Sequence, residues 1–104
     1  MTIYELCKKY FSDEYQLNKM MEELGELTQA TAKYQNALLK YRANDITDKE
    51  LAESLDHLIE EMADVGITME HIRYRKNTYH RENIYKVNKI IRLYKKLGGK
   101  NNAS

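Results

Sequence analysis

Apolar positions in this chain recur every three or four residues over long stretches, the rhythm of helices that bury one face. The longest run takes in Leu17, Met20, Leu24, Leu27, Thr31, Tyr34, Leu38 and Tyr41 and is close to a heptad. Ser12, followed by Asp13 and Glu14, supplies an N-cap with acids in the first turn, and predicts a helix from there to about Arg42. Ala43-Asn44-Asp45-Ile46 reads as a loop. Thr47 and Glu50 have capping-box spacing and open a second long helix striped by Leu51, Leu55, Leu58, Met62, Val65, Met69 and Ile72. Thr2 and Glu5 share that spacing at the start of a short first helix ending near Tyr10. Asn77-Thr78-Tyr79-His80 marks a break. A last helix from roughly Arg81 to Leu97 follows, striped by Ile84, Val87, Ile91, Tyr94 and Leu97, with Gly98 and Gly99 at its C-terminus. The tail Lys100 to Ser104 is polar and is expected to fray.

The pattern predicts an all-α fold: an antiparallel helical bundle of two long helices, a short N-terminal helix and a C-terminal helix, in one domain spanning residues 1–104. Each long helix would run about 40 Å at 1.5 Å per residue. One short and one medium helix are too little to cover that length. Ile59, Met21 and several tyrosines are therefore expected to be buried by further copies, in a homodimer or a homotetramer built from dimers.

Composition strengthens the helical reading, since the 104 residues hold no Pro and only four Gly, and 32% are charged. A formal net charge of +1 gives no bulk attraction to nucleic acid. The single cysteine, Cys7, excludes an intrachain disulfide and reads as a small buried apolar residue. The N-terminus lacks a signal-peptide layout and no apolar run reaches membrane-spanning length, so a soluble, cytoplasmic protein with no membrane partner is expected.

Two acid pairs change the picture. Glu23 and Glu26 lie in Met20-Met21-Glu22-Glu23-Leu24-Gly25-Glu26, and Glu61 and Asp64 lie in Ile59-Glu60-Glu61-Met62-Ala63-Asp64. With Leu24 and Met62 as stripe centres, Glu23 and Glu61 each fall about −100° around the helix, and Glu26 and Asp64 about −160°. Both pairs have i,i+3 spacing, so each can share one ligand site at the border of buried and exposed surface. Four converging carboxylates repel one another unless a cation joins them. Oxygen ligands without Cys favour Mg²⁺, or Mn²⁺, over zinc. No Glu-x-x-His pair of the di-iron bundles occurs. Acid pairs at helical spacing are also common on solvated faces, and Glu22, Glu60, Glu50, Glu53 and Asp56 fit that description.

Lys19 lies one turn before Glu23 and His57 one turn before Glu61, which makes His57 the one histidine placed near the site; His71 and His80 have no evident ligand partners. On the last helix Tyr85, Lys89, Arg92 and Lys96 share one flank, where they can neutralise phosphates or simply complement the helix dipole. Arg73, Arg75, Lys76 and Arg81 fall at a helix end and connection, where dipole and solubility explain them. Nine tyrosines against one Phe and no Trp point to packing with wet hydroxyls, and one is free to stack on a base. There is no Gly-x-x-x-x-Gly-Lys loop, no Gly-x-Ser-x-Gly elbow and no Cys–His pairing. Hydrolysis would then use metal-activated water.

Glu22-Glu23-Leu24-Gly25-Glu26 followed by Glu61-Met62-Ala63-Asp64 resembles the paired Glu-Glu-x-x-Glu and Glu-x-x-Asp motifs of the MazG-like all-α nucleoside triphosphate pyrophosphohydrolases. Lys89-Ile90-Ile91-Arg92-Leu93 is similar to the late Lys-x-x-Arg of short, phage-type members. The resemblance spans roughly Gln16 to Leu97, though residues 27 to 60 form a longer stretch between motifs than is usual. It implies hydrolysis of a nucleoside triphosphate to the monophosphate and pyrophosphate. Glu23, Glu26, Glu61 and Asp64 would hold Mg²⁺, and Glu22 would support the ligands from behind or help orient the attacking water. Lys89 and Arg92, with Lys19, would contact substrate. A phosphoribosyl-ATP pyrophosphohydrolase shares this architecture, and a noncatalytic helical oligomer that binds nucleotide or protein is the alternative outside enzymes.

Overall fold

A computed structural model describes residues 1–99; the tail expected to fray, 100–104, lies outside the described residues. Four helices follow in order: α1 (Ile3–Tyr10), α2 (Asp13–Arg42), α3 (Asp48–Lys76) and α4 (Tyr79–Lys96), with no strand among the described residues. The caps do what their residue types require. Thr2 Oγ1 accepts from the Glu5 amide at 3.1 Å and Ser12 Oγ from the Tyr15 amide at 3.0 Å. The Thr47–Glu50 capping box is complete in both directions. α3 ends at Asn77, which takes the left-handed conformation (φ 51°, ψ 54°) that Asn adopts more readily than most residues. That single residue ends α3 and turns the chain, and α4 restarts at Tyr79, two residues before the periodicity placed it. Gly98 closes α4 at φ +88°.

α2 and α3 pack against one another over much of their length, and α1 lies on α3. The docking of α1 corrects two expectations. Arg75, expected to serve dipole and solubility, has a side chain only 3% exposed. It donates to the Cys7 carbonyl at 2.7 Å and to Asp13 Oδ1 at 3.1 Å. Lys76 reaches the other oxygen of Asp13 at 2.5 Å, and both cations hold the Asp13 carboxyl below its ordinary value. Cys7, expected to be buried, is half-exposed, and its carbonyl rather than its sulfur joins α1 to α3.

The α2–α3 seam runs along one edge of the predicted apolar stripes, taking in Val65 with Leu27, Leu38, Leu58 and Met69 half-buried, and not along their centres. On α2 the buried residues are Gln16, Glu23 and Ala30, seven apart; on α3 they are Val65, Thr68 and His71. Each helix is thus turned about 80–100° from its stripe centre, leaving Leu24 40% and Met62 56% exposed. Among the described residues Ala30 and Val65 are the only buried apolar ones, and no large side chain is fully buried. A stripe is buried only against something that covers it, and the one helix available, α4, is elsewhere. It packs along neither α2 nor α3. The radius of gyration is 18.7 Å, against about 13 Å for a compact domain of this length. The molecule measures 50 × 48 × 21 Å, a flat shape with α4 as one limb. Within one chain the four helices therefore do not close into a bundle. No helix among the described residues is long and apolar enough to cross a membrane.

Candidate metal centre in the α2–α3 seam

The equal angular offset of the two acid pairs now acquires a structural meaning. Glu23 and Glu61 each precede the stripe centre of their helix by one residue, and the seam lies on that side of both helices. One ligating oxygen from each of Glu23, Glu26 and Glu61 can be chosen so that all three lie within 4.8 Å of one another. Glu23 is buried, Glu61 half-buried and Glu26 exposed. The expectation that all four acids share one border position is thus replaced by a gradient from the seam outward. Asp64 is half-buried and outside that triad, but it faces the same cavity as Glu23 and its charge acts on it.

Two observations make this more than a solvated acidic face. Glu23 Oε2 and Glu61 Oε2 are both buried and have no hydrogen-bond partner. A buried carboxylate oxygen normally has a donor, and leaving one without costs about 1–3 kcal/mol or more when charged. The Glu23 carboxyl is also held above its ordinary value, first by burial and then by the charges of Glu26 and Asp64. Lys19 partly offsets this, with its ammonium 3.5 Å from Glu23 and 3.7 Å from Glu22. The two acids in turn raise the Lys19 pKa, Glu22 most. Lys19 is therefore the counter-charge of the cluster in this state, and Glu22 stands outside the seam with a largely exposed carboxylate.

Beside the acids is a cavity of about 260 Å³ whose wall includes Phe11, Tyr15, Gln16, Lys19, Glu23, Asp64, Thr68 and His71. The Phe11 and Tyr15 rings stack at 4.6 Å and 15°, a flat aromatic pair at the α1–α2 junction. His71 is buried edge-on to Tyr4 at 4.9 Å. Its Nδ1 is buried without a partner, and burial together with Arg75 holds its pKa below the ordinary value, so the imidazole is neutral at pH 7. His57, expected near the site, is exposed; the histidine that lines the cavity is His71. Spacing carried a signal for the residues that were missed. Gln16 is seven before Glu23, Thr68 seven after Glu61 and His71 seven after Asp64, so all three continue the seam from the acids.

Lys89 and Arg92 are not brought to this site within the chain. Both are on α4, neither lines the cavity, and among the described residues neither pairs with a carboxylate. Lys89 instead borders a shallow depression on α4 with Arg81, Tyr85 and Lys86.

Set against known proteins, the chain matches no family model, no curated protein and no solved structure.

Proposed function

We propose that the protein is a Mg²⁺-dependent nucleotide pyrophosphohydrolase that splits a nucleoside triphosphate into the monophosphate and pyrophosphate. The observation that carries this reading is the pair of buried, partnerless oxygens on Glu23 and Glu61 inside a three-carboxylate cluster. An all-oxygen donor set of that charge suits a hard divalent cation, Mg²⁺ or Mn²⁺, better than zinc, whose sites are built mainly on Cys and His.

Glu23, Glu26 and Glu61 would hold the ion, and Asp64 would complete the set from the cavity side. When bound, Mg²⁺ supplies charge neutralisation for the triphosphate and lowers the pKa of a coordinated water. Lys19, now 3.5 Å from Glu23 and 3.7 Å from Glu22, would turn its ammonium to a phosphate oxygen once Glu23 is engaged as a ligand. Glu22, outside the ligand set and one residue from Glu23, would orient the attacking water toward the α-phosphorus. The stacked Phe11–Tyr15 pair gives the base a flat apolar surface, while Gln16 and Thr68 offer polar atoms for its edge. The apolar stripes left open on α2 and α3 call for further copies of the chain, in a homodimer or a homotetramer built from dimers.

The test is a panel of canonical and modified triphosphates with excess Mg²⁺, read by pyrophosphate release with and without EDTA. Pyrophosphate with the matching monophosphate, lost on chelation, is the expected result. Release from phosphoribosyl-ATP alone moves the substrate to that relative of the reaction. Nucleotide binding that survives EDTA with no turnover makes the protein a noncatalytic module and overturns the proposal.

A further inference from the structure

The cavity beside the acids holds polar groups that the metal chemistry does not use. Thr68 and His71 are buried in its wall, 5% and 7% exposed. They are three residues apart on α3, so their side chains are neighbours on one face of the helix. Glu23 and Asp64 open into the same cavity. Along α3, Thr68 lies four residues beyond Asp64 and His71 seven, about 6 and 10 Å at 1.5 Å per residue. A ligand anchored at the acids therefore meets Thr68 first and His71 after it.

Each of the two side chains has a set polarity. Thr68 Oγ1 donates its one hydrogen to the Val65 carbonyl at 2.8 Å, so toward the cavity it can only accept. His71 packs edge-on to Tyr4, which accounts for its ring but for neither nitrogen. Its Nδ1 is enclosed and has no partner, which leaves Nε2 as the nitrogen open to the cavity. The neutral imidazole carries a single hydrogen. On Nδ1 that hydrogen would make a buried N–H without an acceptor, a rare orphan in folded proteins. It belongs on Nε2, and His71 donates. Gln16, also buried in this wall, has an amide that can turn either way and sets no polarity.

The wall is thus an acceptor followed by a donor, and nucleobases divide on that order. Along the pairing edge from the sugar side, uracil and thymine offer a ring N–H and then a carbonyl oxygen, as do guanine and hypoxanthine. Cytosine and adenine offer a bare ring nitrogen and then an amino group, the reverse at both positions.

We infer that Thr68 and His71 read the base of the triphosphate, Thr68 accepting from its ring N–H and His71 donating to the neighbouring carbonyl oxygen. The site then takes imino–oxo bases and refuses the amino bases cytosine and adenine. With an amino base both positions fail: a lone pair faces the Thr68 oxygen, and an amino group faces the His71 N–H. Moving the His71 hydrogen to Nδ1 repairs only one of them and creates the buried orphan. The stacked Phe11–Tyr15 pair suits any base and takes no part in the choice. Seating the base in this cavity rests on the pyrophosphohydrolase reading.

Monophosphates test the choice without turnover. UMP and CMP differ only along the pairing edge, as do IMP and AMP. In calorimetric titration with excess Mg²⁺, the imino–oxo member of a pair is expected to bind at least about tenfold tighter. Preference within either pair supports the inference, and the stronger pair gives the ring size. Equal binding in both pairs, or preference for CMP and AMP, overturns it. Thr68→Val keeps the shape of the side chain and His71→Phe keeps a ring against Tyr4. Each is expected to bring the ratio within a pair close to one. Lost packing alone weakens both members equally, so an unchanged ratio in both variants overturns the assignment to these residues. Where monophosphates bind too weakly to titrate, kcat/KM for UTP against CTP, and for ITP against ATP, gives the same ratios. Hydrolysis without preference overturns the base reading and leaves the pyrophosphohydrolase standing. Preferential binding with no hydrolysis of any triphosphate does the reverse, and neither binding nor turnover overturns both.

Discussion

The α2–α3 seam and the α4 limb solve opposite problems. The seam buries polar groups, among them Gln16, Glu23, Thr68 and His71, and among the described residues the apolar ones buried with them are Ala30 and Val65, with Leu27, Leu38, Leu58 and Met69 half-buried. α4 exposes its apolar residues and buries none. In an isolated domain the reverse is expected, because burying apolar area is the main favourable term in folding and burying an acid without a partner opposes it. Here the order is inverted: the seam encloses polar groups while the apolar residues of α4 stay exposed.

The most damaging way to break the contrast is to neutralise the seam. Glu61→Gln keeps the size of the side chain and removes one of the two charged oxygens that lack partners. Hydrolysis is expected to fall by more than the roughly 10–100-fold that loss of an outer-shell partner costs a metal site. The helical signal should be unchanged, and thermal stability in EDTA unchanged or higher, because the variant no longer buries that charge. Full turnover in Glu61→Gln would remove it from the site.

Next in size is Arg75, which ties α1 and Asp13 to the end of α3. Arg75→Ala removes two charged hydrogen bonds from a side chain that is almost fully buried. The expected cost is about 2 kcal/mol, read as a lower denaturation midpoint. An exposed cation on α4 such as Lys95 is a control, since its replacement by Ala should move stability by no more than about 0.5 kcal/mol. Equal effects at the two positions would erase the structural difference between the α1–α3 junction and α4.

A milder test is the pH dependence of Mg²⁺ binding. The Glu23 carboxyl sits above its ordinary 4.5, so between that value and its raised one the folded protein keeps a proton that the unfolded chain has lost. Stability without metal therefore falls as pH rises through that window. Mg²⁺ affinity moves the other way, rising through the same window because the ion needs the ionised form. Lys19 pulls the Glu23 value down, so Lys19→Met should shift the midpoint of the Mg²⁺ affinity curve to higher pH. Calorimetric titration at rising pH from the ordinary 4.5 reads that midpoint, and an unmoved midpoint would separate Lys19 from Glu23.

How much of this was legible in the sequence follows from how local each feature is. Ser12, Thr47 and Glu50 marked helix starts to within a residue because a cap is decided by a few neighbouring atoms. The acid pairs were legible because i,i+3 spacing and the shared offset from two stripes are angular facts that any straight helix preserves. The buried face was not. Periodicity shows that Leu24 and Met62 share a face with their neighbours, but which face is covered depends on what lies opposite, and α4 does not lie there. Gln16, His71 and Arg75 were missed because a single polar residue leaves no periodic trace. The seven-residue spacings from the acids marked the first two, but their meaning depended on knowing that the seam takes in Glu23 and Glu61 and leaves Leu24 and Met62 exposed.

The smallest predicted effect concerns the corner that separates the two regions. Arg73 holds the Glu82 carboxyl down to about 2, well below its ordinary 4.5. The folded pKa is the lower one, so the stabilisation is fully present above the unfolded value and is lost as pH falls from 4.5 toward 2. Glu82→Gln keeps the shape of the side chain and loses the charge. The native chain should therefore have the higher denaturation midpoint at neutral pH, by less than the Arg75→Ala effect because both partners at the corner are partly exposed. That gap should begin to close below pH 4.5 and vanish near pH 2. Hydrogen exchange at the Thr78 amide, which donates to the Arg73 carbonyl at 3.3 Å, reports the same event locally. Its protection should drop in Glu82→Gln while the amides of the α2–α3 seam keep theirs. If the seam loosens with the corner, then α4 is not an independent limb, and the two regions behave as one cooperative unit.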